Sequence, residues 1–445
     1  MKLSGWGRYP TSDSELLAPA DDRAMQACLQ AHSNHCIARG AGRSYGDAAL
    51  SETVVSSRHL DHFIDFDKRR GRIHCAAGLS LDELLRVTMA EDFILPVLPG
   101  TRFVSVGGAI AADIHGKNHH QDGCFSAHVE SFRLLLANGE IRHCSREENP
   151  ELFAASCGGM GLTGIILDAS LNLHKVPGVL IHNRTLQTDC LEDCIDKLRA
   201  NADSKYAVAW LDCLARGKQL GRSVLYLGDH AGQHNRKSRY RHESGKLMSV
   251  PFSTPGFLLN SLTMRSFNKL YYSLQSRRQN EQLLPYQRYF FPLDRIQNWN
   301  RLYGRRGFQQ YQLVLPEASA LTGIRSILET VSAAGKGSFL AVLKQFGEAN
   351  DNPLSFPMAG FTLTLDFKME AGLNALLEQL DAIVLEHGGR LYLAKDARMA
   401  EAMFKAGYPR WQEFMQLRRQ VDPENKFSSL LSRRLGLDSA QAVEQ

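Results

Sequence analysis

Three glycine-rich segments of the sequence have the composition of loops that bring the backbone close to a ligand. They are residues 39–47 (RGAGRSYGD), 99–120 (PGTRFVSVGGAIAADIHGKNHH) and 158–164 (GGMGLTG). Glycine has no side chain to hold a ligand at a distance, and successive backbone N–H groups can bind phosphate oxygens. These segments therefore predict a site for a phosphate-bearing cofactor, although a set of ordinary turns has the same composition.

The spacing of the first segment separates two kinds of cofactor loop. The dinucleotide fingerprint of a Rossmann fold needs a glycine five positions after its first glycine. Counting from Gly40, that position is Tyr45. The mismatch disfavours an NAD-binding loop, and a plain glycine-rich turn stays as the other alternative.

The second segment ends in four side chains that could do acid–base or metal chemistry. They are His115, Lys117, His119 and His120. His115 and His119 are four residues apart, a spacing that can hold zinc on a helix. Gly116 and Asn118 weaken such a helix and no carboxylate has the H-E-x-x-H spacing, so we do not expect a metal. Structural or surface histidines remain the alternative.

Helices and strands alternate around these segments in the first half of the chain. Hydrophobic periodicity predicts helices over residues 21–32 and 81–90, and strands over residues 36–39, 72–76, 130–136 and 164–173. Ser80 and Glu83 form a capping-box pattern at the start of the second helix. Asn138-Gly139 is typical of a hairpin turn. The first glycine-rich segment therefore directly follows a predicted strand.

From about Val176 the pattern changes to longer strands and amphipathic helices, which indicates an antiparallel sheet backed by helices. Strands are predicted over residues 206–212, 310–314, 361–366 and 390–394, and helices over 318–333, 370–387 and 411–421. Residues 216–280 interrupt the pattern and are interpreted as a mobile loop. We predict an α+β fold in three parts: residues 1–175, residues 176–389, and residues 390–445, which return to the first part.

The bulk composition excludes several classes of protein. A net charge of +5 over 445 residues is small for a dedicated nucleic-acid binder. The nine cysteines are an odd number without a C-x-x-C pair, which favours reduced thiols and hence the cytoplasm. The start MKLSGWGRYP lacks the apolar stretch of a secretion signal, and no run of about 18 apolar residues occurs. We expect a soluble or peripheral enzyme.

Together these motifs resemble the FAD domain of the vanillyl-alcohol-oxidase/PCMH superfamily and, more narrowly, the family of decaprenylphosphoryl-ribose 2′-oxidases. The segments that carry the narrower resemblance follow the same order along nearly the whole chain. They are residues 3–8, 42–47, 96–102, 113–120, 310–312, 353–357 and 394–396. The resemblance implies a two-domain vanillyl-alcohol-oxidase fold, with a PCMH-type FAD-binding domain and an antiparallel-sheet substrate domain.

FAD is the cofactor that the resemblance implies. Many relatives tether the flavin through a histidine of the first loop, where this chain has Ser44 and Tyr45, so we expect FAD to be non-covalent. The implied cofactor-binding residues are Ala38, Arg39, Gly40, Ala41, Gly42, Arg43, Ser44, Tyr45, Gly46, Asp47, Gly100, Ser105, Val106, Gly107, Gly108, Ala112, Asp113, Ile114, His115, Ile165 and Tyr392.

The reaction that the resemblance implies is oxidation of a secondary alcohol, the ribose 2′-hydroxyl of a polyprenyl phosphate, to a ketone. The hydride leaves to flavin N5, and the hydroxyl proton must leave as well. Lys395 and Lys117 are assigned to the hydroxyl and the phosphate, with Tyr45 and His115 near the flavin; which lysine takes the proton stays open. The implied substrate-binding residues are Gln312, Gln310, Trp210, Thr364 and Lys344.

One position departs from the family pattern. Mycobacterial relatives have a cysteine where this chain has Thr364, in a strand that lines the expected pocket. Thiol-directed inactivation at that point should therefore fail, and the departure leaves the identity of the sugar open. Trp210 matches a tryptophan of the pocket wall, with ordinary core packing as the alternative.

A basic segment next to an apolar one suggests contact with a membrane. Residues 251–274 are rich in apolar and aromatic side chains, and the basic side chains of residues 236–246 are Arg236, Lys237, Arg239, Arg241 and Lys246. This combination predicts a lid on anionic lipid headgroups at the inner membrane, with a solvated loop as the alternative. A short-chain reductase would complete an epimerisation. The rival functions are an aldonolactone or free-sugar oxidase and an inactive FAD-binding partner protein.

Overall fold

The fold is built on two antiparallel sheets, one in the amino-terminal part of the chain and one in its centre. They are seen in a computed structural model that describes residues 1–32, 34–232, 248–275 and 280–438. Helices pack on both sheets, which gives the expected α+β class. Within the described residues, no helix is both long enough and apolar enough to cross a membrane.

The amino-terminal part contains a parallel sheet of three strands, in the order β3-β5-β4, and an antiparallel sheet of five, in the order β10-β9-β11-β7-β6. Its elements are β1 (Lys2–Ser4), β2 (Thr11–Asp13), β3 (Glu15–Leu17), α1 (Asp22–Ala31), β4 (Cys36–Arg39), β5 (Thr53–Ser56), β6 (Phe63–Asp67), β7 (Arg72–Ala76), α2 (Leu81–Thr88), β8 (Phe93–Ile94), α3 (Val106–Ala111), α4 (His119–Asp122), β9 (Val129–Leu135), β10 (Ile141–Ser145), α5 (Pro150–Ser156), β11 (Ile165–Asn172) and β12 (His174–Lys175).

Local signals in the sequence fix several of these elements. The capping box is confirmed, because the Ser80 side chain accepts a hydrogen bond from the Glu83 N–H and the Glu83 carboxylate accepts one from the Ser80 N–H. The hairpin at Asn138-Gly139 is also confirmed: β9 and β10 pair antiparallel on either side of it, and Gly139 has φ 87°. Such local rules need no tertiary contacts, which is why the sequence alone reveals them.

The central sheet has eight strands in the order β17-β13-β15-β14-β20-β21-β19-β22, and every neighbouring pair is antiparallel. The remaining elements are β13 (Leu180–Thr188), α6 (Leu191–Ala200), β14 (Tyr206–Leu211), β15 (Ser223–His230), β16 (Met248–Ser249), α7 (Ser261–Gln275), β17 (Glu281–Pro285), α8 (Tyr286–Phe290), β18 (Ile296–Gln297), β19 (Phe308–Pro316), α9 (Ala320–Ala334), β20 (Ala341–Phe346), β21 (Gly360–Lys368), α10 (Leu373–Glu386), β22 (Arg390–Leu391), α11 (Glu401–Gly407), α12 (Trp411–Val421) and α13 (Leu430–Arg434).

The two faces of this sheet differ in chemistry. Leu313, Leu343 and Leu363 project from neighbouring strands into a core that also contains Ile327 of α9 and Leu377 of α10, and all five are fully buried. Side chains alternate between the two faces of a strand, so the residues next to these leucines face the opposite way. The face away from the helices is thus free to carry polar groups.

The segment after β22 returns to the amino-terminal part. The N–H of Cys36 in β4 donates to the carbonyl of Lys426, and the N–H of Leu430 donates to the carbonyl of Leu50. Arg434 forms ion pairs with Asp47 and Asp396, both at 2.8 Å. These contacts tie the turn that contains Asp396 to the first loop.

The interpretation of residues 216–280 as one loop is wrong for much of that segment. β15 is a central strand between β13 and β14, and α7 is a helix of 15 residues. β15 escapes detection because consecutive side chains, Val224 and Leu225, are both buried, so the strand lacks the alternation of a half-buried one. The basic side chains of residues 236–246 lie outside the described residues.

The strand predicted over residues 390–394 is shorter than expected. β22 ends at Leu391, and the chain then turns, with the Lys395 N–H donating to the carbonyl of Tyr392 at 2.9 Å. Lys395 therefore lies in a turn and not at the end of a strand, because the apolar run that suggested a strand is buried by tertiary packing instead.

Candidate active site

A cavity of about 1080 Å³ lies between the glycine-rich loops and the polar face of the central sheet. Sites for small molecules usually measure ~300–1,000 Å³, so this one has room for a large cofactor beside a substrate. Residues from segments 38–49, 98–117 and 160–166 line one side. Strands of the central sheet and the turn around Lys395 line the other side.

Two glycines allow the first loop to pack closely against its neighbours. A Cβ atom at Gly40 would overlap the Oγ of Ser105, and one at Gly46 would overlap the carbonyl oxygen of Asp396. Gly42 has φ +62°, a conformation that other residues rarely adopt. The loop is therefore held between the second glycine-rich segment and the Lys395 turn, with its backbone along the cavity wall.

Strand alternation places the predicted substrate-binding residues on the cavity side of the sheet. Gln310 and Gln312 lie two residues apart on β19, and Gln312 is paired in register with Thr364 on β21. Trp210 is buried, and its indole N–H donates to the carbonyl of Phe339 at 3.0 Å. The predicted substrate-binding residues that line the cavity are Gln310, Gln312, Trp210, Thr364 and Lys344.

Three lysines share this cavity. Lys395 Nζ lies 3.9 Å from the centroid of the Tyr45 ring, and Lys117 Nζ lies 4.3 Å from that of Tyr289. Lys117 also donates a short hydrogen bond to the carbonyl of Tyr289. Lys344 lies on β20, one strand away from Thr364. The three amines come from three separate parts of the chain, so only the tertiary fold brings them together.

Burial makes each of these lysines easier to deprotonate than an exposed lysine. It lowers the pKa of Lys117 to about 7. It also lowers the pKa of Lys344 to about 7, where the positive charges of Lys395 and Lys117 add to the effect. The pKa of Lys395 falls to about 8 through burial, and the Asp366 carboxylate opposes that fall. Near neutral pH the cavity therefore offers both cationic and neutral amines.

His115 links the cofactor side of the cavity to the sheet. Its Nε2 lies 2.9 Å from Nε2 of Gln312, and its Nδ1 lies 3.1 Å from Nζ of Lys344. The ring packs against Phe346 and Tyr392, with centroids 4.7 and 5.5 Å away. Burial, and then the charge of Lys344, hold the pKa of His115 well below its usual value, so the imidazole is neutral.

Two polar residues of this face were missed by the sequence analysis, Asp366 and Thr362, both on β21. Gln310 donates to Asp366 at 2.6 Å and Tyr303 donates to it at 3.1 Å, and burial raises the pKa of Asp366 to about 7. Thr362 accepts from Gln312 at 3.2 Å. The sequence did contain a signal for both residues, because Thr362, Thr364 and Asp366 occupy every second position of one strand and therefore share one face.

Five of the predicted cofactor-binding residues do not line the cavity: Arg39, Gly46, Asp47, Val106 and Asp113. Asp113 is fully buried and accepts hydrogen bonds from Asn350 and Ser355, both at 2.7 Å, so it positions the 350–355 segment. Asp47 pairs with Arg434. The motif is contiguous in sequence, but only some of its side chains turn towards the cavity. The others are used to hold the loops.

The remaining members of the predicted cofactor set line the cavity, as do the four predicted catalytic residues. They are Ala38, Gly40, Ala41, Gly42, Arg43, Ser44, Tyr45, Gly100, Ser105, Gly107, Gly108, Ala112, Ile114, His115, Ile165, Tyr392, Lys117 and Lys395. The structure thus brings these positions together, and their individual roles stay predictions.

His119, which was considered with His115 as a possible metal ligand, forms its contacts with other groups of the protein. Its Nδ1 accepts from the Gly347 N–H at 3.1 Å, and its Nε2 lies 3.4 Å from Sγ of Cys124. Burial lowers the pKa of His119 to about 3. In the part of the chain that the structure describes, no group of three or more histidine, cysteine or acidic side chains could hold a metal ion.

The wall formed by the loops fits a flavin dinucleotide. Glycines and small side chains form two stretches of it, with Gly40 and Gly42 in one and Gly107, Gly108 and Ala112 in the other. Backbone N–H groups suit a pyrophosphate, and a stretch of wall without bulky side chains suits a flat ring. The cavity also extends beyond these loops to the lysines, which leaves space for a substrate beside the ring.

Comparison with known proteins supports this fit. A family model for an FAD binding domain matches residues 15–145, and one for D-arabinono-1,4-lactone oxidase matches residues 359–435. The chain is 37% identical to the decaprenylphosphoryl-beta-D-ribose oxidase of Mycolicibacterium smegmatis, covering 98% of this chain and 97% of that protein. It is 21% identical to the L-gulono-1,4-lactone dehydrogenase of Mycobacterium tuberculosis, covering 96% of this chain and 94% of that protein.

The fold, the cavity and the matched domain define an FAD-dependent oxidoreductase of the two-domain PCMH type, with FAD as its cofactor. Both the fold class and the cofactor expected from the sequence are confirmed. Within that class, the chain belongs to the decaprenylphosphoryl-beta-D-ribose oxidase family. The lactone oxidases and dehydrogenases are more distant relatives.

We expect Gly42→Val to abolish FAD retention. At φ +62° a branched side chain is strained, and its Cβ would overlap the Arg39 guanidinium, which donates to the carbonyls of Ser4 and Ala49. The measurement is the ratio of flavin absorbance to protein absorbance after purification. Gly123→Val is the matched control, because Gly123 has φ +67° with no atom near a Cβ. A fully yellow Gly42→Val protein would show that the loop does not hold the cofactor.

Proposed function

We propose that this chain oxidises the ribose 2′-hydroxyl of a polyprenyl-phosphoryl pentose to a ketone, the first half of an epimerisation in cell-envelope biosynthesis. The observation that supports this most directly is the cluster of Lys117, Lys344 and Lys395, which offers amines to an anionic, hydroxyl-bearing substrate. The similarity to the decaprenylphosphoryl-beta-D-ribose oxidase of M. smegmatis supports the substrate class.

FAD is held by the glycine-rich loops in this proposal. Backbone N–H groups around Gly40 and Gly42 would bind its pyrophosphate, and Gly107 and Gly108 would leave room for its ring. FAD would supply the two-electron acceptor for the hydride of the carbinol carbon. The first loop contains no histidine that could form a covalent link, so attachment is non-covalent. We also propose that residues 1–175 form the cofactor domain and residues 176–389 the substrate domain, to which residues 390–445 add Lys395.

The lysines hold the two ends of the sugar phosphate. The Tyr45 ring, which Lys395 contacts, and the charge of Asp366 both favour the cationic form of Lys395, so it donates to the reacting hydroxyl. Lys117 lies across the cavity wall beside Tyr289 and contacts the phosphate. Gln312 positions the sugar from the sheet. A cation beside the hydroxyl oxygen stabilises the negative charge that develops there as the proton leaves.

A second candidate function is oxidation of a water-soluble aldonolactone. It is supported by the match of residues 359–435 to the D-arabinono-1,4-lactone oxidase family model. Such a substrate needs neither a lipid nor a cation for a phosphate. An inactive FAD-binding partner protein is disfavoured, because all three lysines are present and buried in the cavity.

Helix α7 supplies a surface for the lipid part of the substrate. Tyr271 and Leu274 of this helix line the cavity, while Leu262, Leu270 and Phe267 are 73%, 59% and 45% exposed. Its charged side chains are all basic. An exposed apolar helix with basic residues is typical of proteins that lie on an anionic membrane surface. We therefore propose peripheral contact with the cytoplasmic face of the inner membrane, and a short-chain reductase as the enzyme that acts on the keto product.

Polyprenyl-phosphoryl ribose should bleach the flavin absorbance of the FAD-loaded protein in the absence of oxygen. The lipid-linked sugar supplies both the phosphate and the secondary hydroxyl that the lysines contact. The comparison substrate is a soluble aldonolactone at the same concentration. Faster bleaching by the lactone would select the second candidate function, and no bleaching by either would favour the inactive partner protein.

Lys395→Ala should leave the protein yellow but reduce turnover by at least about 100-fold, the scale of losing a group that stabilises charge in the transition state. The Lys395 amine contacts the Tyr45 ring, while the turn around Lys395 is formed by backbone hydrogen bonds that the substitution keeps. The loss is measured as the rate at which the substrate reduces the flavin without oxygen. Lys218→Ala, which replaces an exposed lysine, is the control. Turnover equal to that of the unmodified protein would remove Lys395 from the mechanism.

The protein should sediment with vesicles that contain phosphatidylglycerol and remain in solution with purely zwitterionic ones. Replacing Leu262 and Leu270 together by serine should weaken binding by about tenfold or more, because each loses apolar area that the membrane would bury. Leu385→Ser on α10, another exposed leucine, is the matched control. Binding unchanged by the double substitution would exclude α7 as the contact.

A further inference from the structure

Thr362, Gln312, His115 and Lys344 form one continuous chain of polar contacts at the cavity wall. Lys344 and Thr362 face each other in register on β20 and β21, and Gln312 lies on β19 beside them. His115 reaches them from the amino-terminal part. From the sequence, Lys344 was expected only to contact the substrate, and no role was expected for Thr362. The direction of each hydrogen bond in this chain determines where the protons are.

The hydroxyl group of Thr362 determines the direction of the hydrogen bonds in this series of polar contacts. It donates to the carbonyl oxygen of Leu313 at 2.8 Å, which uses its one proton. Its oxygen can therefore only accept from Gln312, 3.2 Å away, so the amide of Gln312 must present its NH₂ group to this side. The same NH₂ group lies 2.9 Å from Nε2 of His115. Gln312 thus donates to His115.

A neutral imidazole that accepts at Nε2 must carry its proton on Nδ1. His115 is buried, and burial is the largest cause that holds its pKa well below the usual value, with the neighbouring His119 and the charge of Lys395 adding to it. The contact with Gln312 therefore selects one tautomer of His115, the one protonated on Nδ1.

The Nδ1–H of His115 faces Lys344 at 3.1 Å. An ammonium at that distance would oppose one N–H with another, whereas a neutral amine presents a lone pair. The other charged groups around Lys344 act in the same direction, because Lys395 and Lys117 both repel a proton on Lys344. Asp366 is paired with Gln310 and Tyr303, and its charge acts on Lys395.

We propose that Thr362 and Gln312 lock His115 in its Nδ1-protonated form, that this form keeps Lys344 a neutral amine, and that Lys344 is the base that takes the proton of the substrate hydroxyl. The proposal rests on the function proposed above and names the residue that deprotonates the alcohol. Thr362 and Gln312 are positioning residues here, since they act through His115. Lys344 is the catalytic residue.

The proposed oxidation step balances with FAD as the oxidant. The hydroxyl O–H bond breaks and its proton forms a new N–H bond on Lys344, whose lone pair turns from His115 to the substrate. The electron pair left on oxygen closes the carbonyl as the hydride leaves the same carbon for the flavin. The alcohol is oxidised by two electrons and the flavin is reduced by two.

The first test is the tautomer itself, read by ¹⁵N NMR of the histidine side chains in FAD-loaded protein without substrate. His115 is assigned by the signals lost in His115→Asn. We expect a protonated Nδ1 and an unprotonated Nε2. Thr362→Val removes the hydroxyl at nearly constant volume, so the amide of Gln312 can turn and the proton of His115 should shift towards Nε2. Thr362→Ser keeps the hydroxyl and should keep the original signals.

The second test is the pH dependence of kcat/KM for the lipid-linked sugar. Activity should rise as Lys344 loses its proton with increasing pH. In Thr362→Val an unprotonated Nδ1 would stabilise the Lys344 ammonium and raise its pKa, so the acidic limb should move up by about 1 pH unit or more. Thr362→Ser should restore the original profile. Lys344→Met should stay yellow and lose turnover.

The outcomes distinguish a failure of this proposal from a failure of the function proposed above. A proton on Nε2 of His115 in the unmodified protein, or signals unchanged by Thr362→Val, would overturn the tautomer lock whatever the substrate is. Turnover retained by Lys344→Met would overturn the assignment of the base. Failure of the unmodified, yellow protein to oxidise any lipid-linked ribose would instead reject the proposed function, with the NMR result standing on its own.

Discussion

Burial of three lysine amines in one cavity is the constraint on which the rest of this site depends. Lys344 illustrates its size: a fall in pKa from 10.5 to about 7 corresponds to about 5 kcal/mol less preference for the charged form. Carboxylates would cancel the effect; Asp366, which accepts hydrogen bonds from Gln310 and Tyr303, opposes the fall in the pKa of Lys395. The cavity is therefore electropositive enough to bind a phosphate and yet contains amines that can accept a proton.

The fold maintains this arrangement because one face of the central sheet packs against helices and the other face lines the cavity. Leucines of β19, β20 and β21 anchor the sheet to α9 and α10, and the residues between them line the cavity. Lys395 is fixed separately, because Arg434 ties the adjacent Asp396 to Asp47 of the first loop. Cofactor loop, substrate sheet and carboxyl-terminal turn are thus held at fixed distances by contacts outside the cavity.

The sequence predicted those features that depend on local rules. The helix start at Ser80, the hairpin at Gly139 and the loop around Gly42 need only capping, turn and close-approach arguments. It could not predict β15, whose burial on both faces removes the alternating pattern. It also could not predict that Asp113 would hold the 350–355 segment, because its partners are more than 230 residues away in the chain. Nor could it predict that Thr362 would orient His115, because this depends on Gln312, which is 50 residues from Thr362 and 197 from His115.

The most direct measurement of the central claim is competitive labelling of the lysines across pH with acetic anhydride, read by mass spectrometry peptide by peptide. The FAD-loaded protein is used, and exposed Lys218 serves as the internal reference for reagent reactivity. The account predicts that Lys117 and Lys344 gain reactivity around pH 7 and Lys395 around pH 8. Titration of all three near 10.5, the ordinary value for lysine, would contradict it.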